Sequence, residues 1–119
     1  MINTHEKGKS SEKIACDYLK TRDYSLIKQN WRSGKYGEID IIANDNKTRE
    51  LVFIEVKSRQ TSLDEAKELV TKTKQQKLYK LANYYLYQNK LENKACRFDV
   101  IAIRMNRANT VLEHIKNAF

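Results

Sequence analysis

The stretch that most constrains this chain is Leu51-Val52-Phe53-Ile54-Glu55-Val56-Lys57. A short apolar run rich in β-branched residues reads as a buried strand. Two charges nevertheless sit inside it. Side chains alternate faces along a strand, so Glu55 and Lys57 share the face of Phe53. A charge at such a place is costly unless it is paired or holds a metal. Whatever surrounds this strand must therefore compensate Glu55.

The flanking patterns supply the rest of an α/β domain. Over residues 8–22, Ile14, Ala15, Cys16, Tyr18 and Leu19 fall at helical spacing. Residues 24–31 read as a strand and 32–37 as a turn that holds two of the three glycines. Residues 38–43 form a second strand, ended by the polar turn Asn44-Asp45-Asn46-Lys47. Short turns between strands imply an antiparallel meander. Residues 62–88 return to helix, with a break near Val70-Thr71 and a later apolar stripe of Leu78, Leu81, Ala82, Tyr85 and Leu86. Residues 97–103 are a fourth strand and 111–115 a further edge strand. The order is αβββαβ, and the long helical crossover predicts that the third and fourth strands run parallel.

Length and composition suit one domain spanning 1–119, with enough apolar residues (40%) to fold without disulfide or structural metal. Lys+Arg outnumber Asp+Glu by 23 to 15, a net charge of +8. Such a surplus favours a polyanionic partner: nucleic acid, or less often an anionic membrane surface. No apolar run nears the ~20 residues of a membrane-spanning helix. The amino-terminal residues lack an apolar signal core, so a cytoplasmic location is expected. Cys16 and Cys96 form no CxxC pair and read as free thiols. His5 and His114 are too few and too scattered for a His-based metal site. Neither a GxGxxG nor a Walker loop is present to hold a nucleotide cofactor.

In the second strand Glu38, Asp40 and Ile42 share one face. If that strand neighbours the third, Asp40 and Glu55 converge with Lys57 beside them. Two carboxylates with room for water and substrate oxygens suit Mg²⁺, a hard cation that keeps several waters. Such a cation lowers the pKa of a bound water and neutralises phosphate charge, and Lys57 would orient that water or stabilise the transition state. The same residues also fit a buried ion pair that satisfies only itself. On residue types alone both readings stand.

Gly37-Glu38-Ile39-Asp40-Ile41-Ile42 followed by Val52-Phe53-Ile54-Glu55-Val56-Lys57-Ser58-Arg59 resembles the D…ExK signature of the PD-(D/E)XK nuclease superfamily. Asn30-Trp31-Arg32, Lys74-Gln75, Arg97-Phe98-Asp99-Val100 and the closing His114-Ile115-Lys116-Asn117-Ala118-Phe119 narrow the likeness to the YraN-like family, grouped with Holliday-junction-resolvase-like nucleases. The resemblance covers nearly the whole chain. It implies an α/β restriction-endonuclease-like fold, a mixed sheet flanked by helices. It further implies Mg²⁺- or Mn²⁺-dependent hydrolysis of phosphodiester bonds in DNA, branched or structured DNA included. A homodimer would suit a two-fold junction. The rival readings are a non-catalytic nucleic-acid-binding module of the same fold, and an interaction protein that binds an acidic partner.

The resemblance also assigns residues. Asp40 and Glu55 match the metal-binding acids, the Val56 carbonyl a further ligand, and Lys57 the catalytic lysine. Glu12 matches a catalytic acid on the first helix; with Ala15, Cys16 and Leu19 it lies on the inward stripe. Its other reading is an exposed first-turn acid favoured by the helix dipole. Lys74 and Gln75 match a motif on the crossover helix, where Lys74 points inward and either meets a phosphate or snorkels past the core edge. Glu38 opens its strand as a supporting acid or a solvated one. Asp99 reads as structural, bonded to backbone near the sheet end. Arg32, Lys35, Arg59, Lys72 and Lys77 are candidate phosphate contacts, or simply a solvated basic face. Trp31 and Tyr36 lie near that turn as base-stacking candidates, with Trp31 better read as core. The chain departs from the family at Ser11 and Asp23, where glycine is usual, and in the loop after Arg59; these positions bear on loop shape rather than on the acids.

Overall fold

The computed structural model describes residues 4–34 and 36–119, with side chains from residue 10 onward. The described residues form α1 (Thr4–Thr21), β1 (Tyr24–Arg32), β2 (Glu38–Asp45), β3 (Leu51–Arg59), α2 (Leu63–Glu68), α3 (Lys72–Gln88), β4 (Cys96–Met105) and β5 (Thr110–Ile115). The strands make one mixed sheet in the order β1-β2-β3-β4-β5. Only the β3–β4 pair is parallel, as the crossover through α2 and α3 requires. The αβββαβ order is thus present, with β5 closing the far edge.

Local chemistry sets the boundaries. Ser62 and Thr71 accept the Glu65 and Lys74 backbone N–H groups and so start α2 and α3. The Gln75 side-chain amide donates to the Val70 carbonyl at 3.2 Å and seals the joint between the helices. Asp23 takes φ 66° in the turn after α1, a conformation glycine adopts freely and Asp tolerates. Ser11 is buried, with its hydroxyl donating to Met105 Sδ at 3.4 Å.

Each sheet face has its own core. Ala15, Cys16 and Leu19 of α1 cover Ile41, Ala43, Val52, Ile54, Ile101 and Ile103. On the other face α3 covers Ile39, Ile42, Phe53 and Phe98 with Leu78, Leu81, Ala82, Tyr85 and Leu86. Phe53, Phe98 and Phe119 stack in series at 5.4 and 5.3 Å. No described helix is long and apolar enough to cross a membrane.

Away from the charged stretch of β3 lies a buried polar knot that the sequence pattern does not announce. Arg97 donates to Asp45 at 2.9 Å, Glu50 at 2.8 Å, Asp99 at 3.0 Å and the Tyr24 hydroxyl at 2.6 Å. Asp99, wholly buried, also meets His114 Nε2 at 2.7 Å and accepts the Asn117 N–H at 3.0 Å. Its expected backbone bond is there, but the Arg97 and His114 contacts dominate.

The knot should make folding acid-sensitive. Burial alone would raise the Asp45 carboxyl, yet Arg97 and the Lys47 and Thr48 N–H groups bring it from 3.8 down to about 2. Asp99 is also lowered: burial opposes, but His114, Arg97 and the Asn117 N–H prevail. A depressed folded-state pKa gives stability that is full above the unfolded value and lost as pH falls through the folded one. Asp45 alone accounts for ~2 kcal/mol, lost as pH falls from about 4 to about 2. Thermal melts across that window should fall steeply, and Asp45→Asn should flatten the slope. An unchanged slope would mean that the acid sensitivity arises elsewhere.

Candidate active site

Asp40 and Glu55 meet where the sheet forks. The β2–β3 ladder runs from Asn44↔Leu51 to Ile41↔Ile54 and stops there. Just beyond it, the Val56 N–H donates to Asp40 Oδ2 at 2.9 Å, so a side chain replaces the ladder. Strict alternation, expected to put Glu38, Asp40 and Ile42 on one face, slips at this point. Ile39 and Ile42 both join the α3 core, whereas Ile41 joins the α1 core. The slip lies beside Asn30 of β1, which takes φ 52°. Asp40 is thereby freed from one face and meets acids from two directions.

Glu55 is one of them. It is buried at 3% exposure, and its carboxyl faces that of Asp40. Burial first, and Asp40 second, hold it well above the usual carboxylate range, against the pull of Lys74 and Lys57. Lys57 Nζ lies 3.8 Å from Glu55 Oε1, and Lys74 Nζ 3.8 Å from Oε2. Both are beyond hydrogen-bond range, and buried Oε2 has no hydrogen-bond partner. The other acid is Glu12, whose carboxyl is raised by burial and by Asp40, and is eased by a hydrogen bond from Asn30. In the sequence Asn30 stands out only as part of Asn30-Trp31-Arg32. The available signal was that Asn tolerates the left-handed backbone that aims its amide here.

The donor set fits a hard divalent cation. It comprises two carboxylates set against one another, one buried oxygen of which, Glu55 Oε2, has no hydrogen-bond partner, and includes neither His nor Cys. Among the described residues no group of three or more His, Cys, Asp or Glu side chains is placed to hold a metal ion, so the protein side chains would supply two acids. A cation here would keep several waters, as Mg²⁺ and Mn²⁺ sites on substrate phosphates do.

Residues 11–103 match the profile of "Uncharacterised protein family UPF0102". A UPF0102 protein of Francisella tularensis subsp. novicida is 44% identical over 99% of this chain and 97% of its own length. One from Thermodesulfovibrio yellowstonii is 49% identical over 96% of each chain. A third, from Caldicellulosiruptor saccharolyticus, is 40% identical over 99% of this chain and all of its own. The chain belongs to UPF0102. This is the YraN family that the motifs resembled. A solved structure of Pyrococcus furiosus SfsA in complex with Ca²⁺ is 16% identical, with a TM-score of 0.37 over 98% of this chain and 64% of that one. That likeness is too slight to bear on the chemistry.

The other residues singled out in this UPF0102 chain scatter. Glu38 is tied to Arg32 at 3.1 Å, which occupies that exposed guanidinium. Lys74 reaches the fork as its inward position implied, and sits on Glu55 rather than snorkelling away. Gln75 does not join it, because its amide is committed to Val70. Arg59 turns back onto the Ser58 carbonyl at 3.2 Å. Lys72 and Lys77 are exposed along α3. Lys35 lies outside the described residues. Trp31 is half-buried, edge-on to Tyr85 at 5.3 Å, whereas Tyr36 is exposed.

Proposed function

We propose that this chain is a Mg²⁺- or Mn²⁺-dependent endonuclease that hydrolyses phosphodiester bonds in DNA, branched DNA included. The observation that carries this reading is Glu55: a buried carboxylate, set against Asp40, with one oxygen left without a hydrogen bond. Asp40 and Glu55 would hold the cation, with the Val56 backbone beside them. When bound it would lower the pKa of water and offset phosphate charge. Glu12, its carboxyl raised, is a proton acceptor at the Asp40 side. Lys57, partly exposed, stands at the mouth, where a phosphate would place its developing negative charge. Lys74 closes the opposite wall.

The same two lysines also support the rival reading of a binding module, since their charges face Glu55 without any cation. Metal titration separates the two. Mn²⁺ added to wild type in a calorimeter should give a saturable binding heat, which Asp40→Asn or Glu55→Gln abolishes. Equal heats in wild type and variants would remove the metal site and leave the binding module. A chelator should reverse the wild-type signal.

A further inference from the structure

The β1–β2 turn and α3 enclose a groove of about 560 Å³, lined by Ser33, Tyr36, Lys77, Lys80, Leu81 and Tyr84. The volume suits a nucleotide-sized ligand. Lys77, Lys80, Leu81 and Tyr84 fall at i, i+3, i+4 and i+7, one stripe of the helix. Tyr84 keeps nearly half its surface exposed, while Trp31 backs it at 6.4 Å. Its ring is therefore braced on one side and open on the other. Tyr36 stands exposed across the groove. The lining charges are both positive, on a chain of net charge +8.

The groove also adjoins the fork. Lys77 is one helical turn beyond Lys74, about 4.5 Å along the axis. Gly37, three residues before Asp40, has φ 129°, and a Cβ there would stand 2.9 Å from Lys77 Cε. The bare glycine is what lets the lysine lie across the turn. Groove and fork thus adjoin along α3, with Lys74 facing the fork and Lys77 the groove.

We propose that this groove takes an unstacked base of the DNA strand entering the fork. The base stacks on Tyr84 and Tyr36, and Lys77 and Lys80 contact the flanking phosphates. An aromatic platform beside cations is the common means of holding single strands, since every base offers a π-face. The proposal rests on the DNA reading above and adds what selects the strand: unpaired nucleotides beside the cleaved bond.

Fluorescence anisotropy in chelator, so that no cleavage intervenes, tests it. The probes are a short single-stranded deoxyoligonucleotide and an abasic oligomer of equal length. Wild type should prefer the base-bearing strand on the order of tenfold. Tyr84→Ala and Tyr36→Ala should erase that preference without changing abasic affinity, and Tyr84→Phe should keep it. Lys80→Gln should weaken both probes alike. If the alanine variants retain the preference, the groove proposal falls and the nuclease reading stands. If wild type binds neither probe, the groove proposal falls, while cleavage of duplex or four-way DNA with Mg²⁺ or Mn²⁺ still decides the nuclease reading. If the tyrosine variants instead dissolve a dimer in sedimentation, the groove is a contact between copies and the proposal is overturned.

Discussion

Lys57→Ala should lower turnover on the order of 10²-fold or more while changing DNA affinity little. Lys57 follows Glu55 by two residues on the same strand, and its ammonium lies 3.8 Å from the Glu55 carboxylate. It is partly exposed where Glu55 is buried, so a phosphate entering the proposed site could reach its ammonium. A positive group there gains most when negative charge builds on the phosphoryl oxygens, and interactions made in the transition state raise the rate. Removing one preorganised donor typically costs this much. One phosphate contact among many contributes modestly to binding. Lys57→Met, which keeps the stem, separates charge from packing. Single-turnover rates beside binding isotherms check the split. Equal rates in wild type and Lys57→Ala would reduce Lys57 to an ion partner of Glu55.

The largest stability effect should come from Arg97→Met, a loss of about 3–5 kcal/mol. Arg97 is 8% exposed and holds Asp45, Asp99, Glu50 and the Tyr24 hydroxyl through all its nitrogens. The substitution fills most of the space but strands Asp45 and Asp99, both nearly inaccessible, without their cation. Breaking a buried ion cluster by one member leaves uncompensated charge, which is far worse than never having had the cluster. A domain's whole stability is only about 5–15 kcal/mol. Arg97→Lys should recover part of the loss, because an ammonium cannot fork to several acceptors at once. Urea unfolding measures the loss as a lower midpoint at constant slope. A shift below about 1 kcal/mol would show that the knot is close to neutral.

The parts of this protein that were legible in its sequence are those where one residue's surroundings decide its role. Glu55 and Lys57 stand out because they interrupt an apolar strand. The parallel β3–β4 pair follows from the length of the crossover, and the α2–α3 break from Thr71, whose side chain caps Lys74. What was hidden depends on departures from regularity. Period-two alternation cannot foresee the slip at Asp40, since it assumes an unbroken ladder. Asp45 looked like part of a polar turn, yet it ends β2 and is buried against Arg97. Arg97 itself reads as a polar opening to an apolar strand; its partners come from β1, β2, the following turn and β4, and no local pattern links them. Lys74 was readable as inward from the helix stripe, whereas nothing in the sequence marked Gln75 as closing the joint between α2 and α3.

A cleavage screen across single-stranded, duplex, flap and four-way DNA, with Mg²⁺, with Mn²⁺ and with chelator, tests the nuclease assignment at its root. Wild type should cut at least one of these with either metal, chelator should stop it, and Asp40→Asn should leave every substrate intact. DNA bound in every lane but cut in none, with both metals present, would contradict that assignment and leave a protein that holds nucleic acid without breaking it.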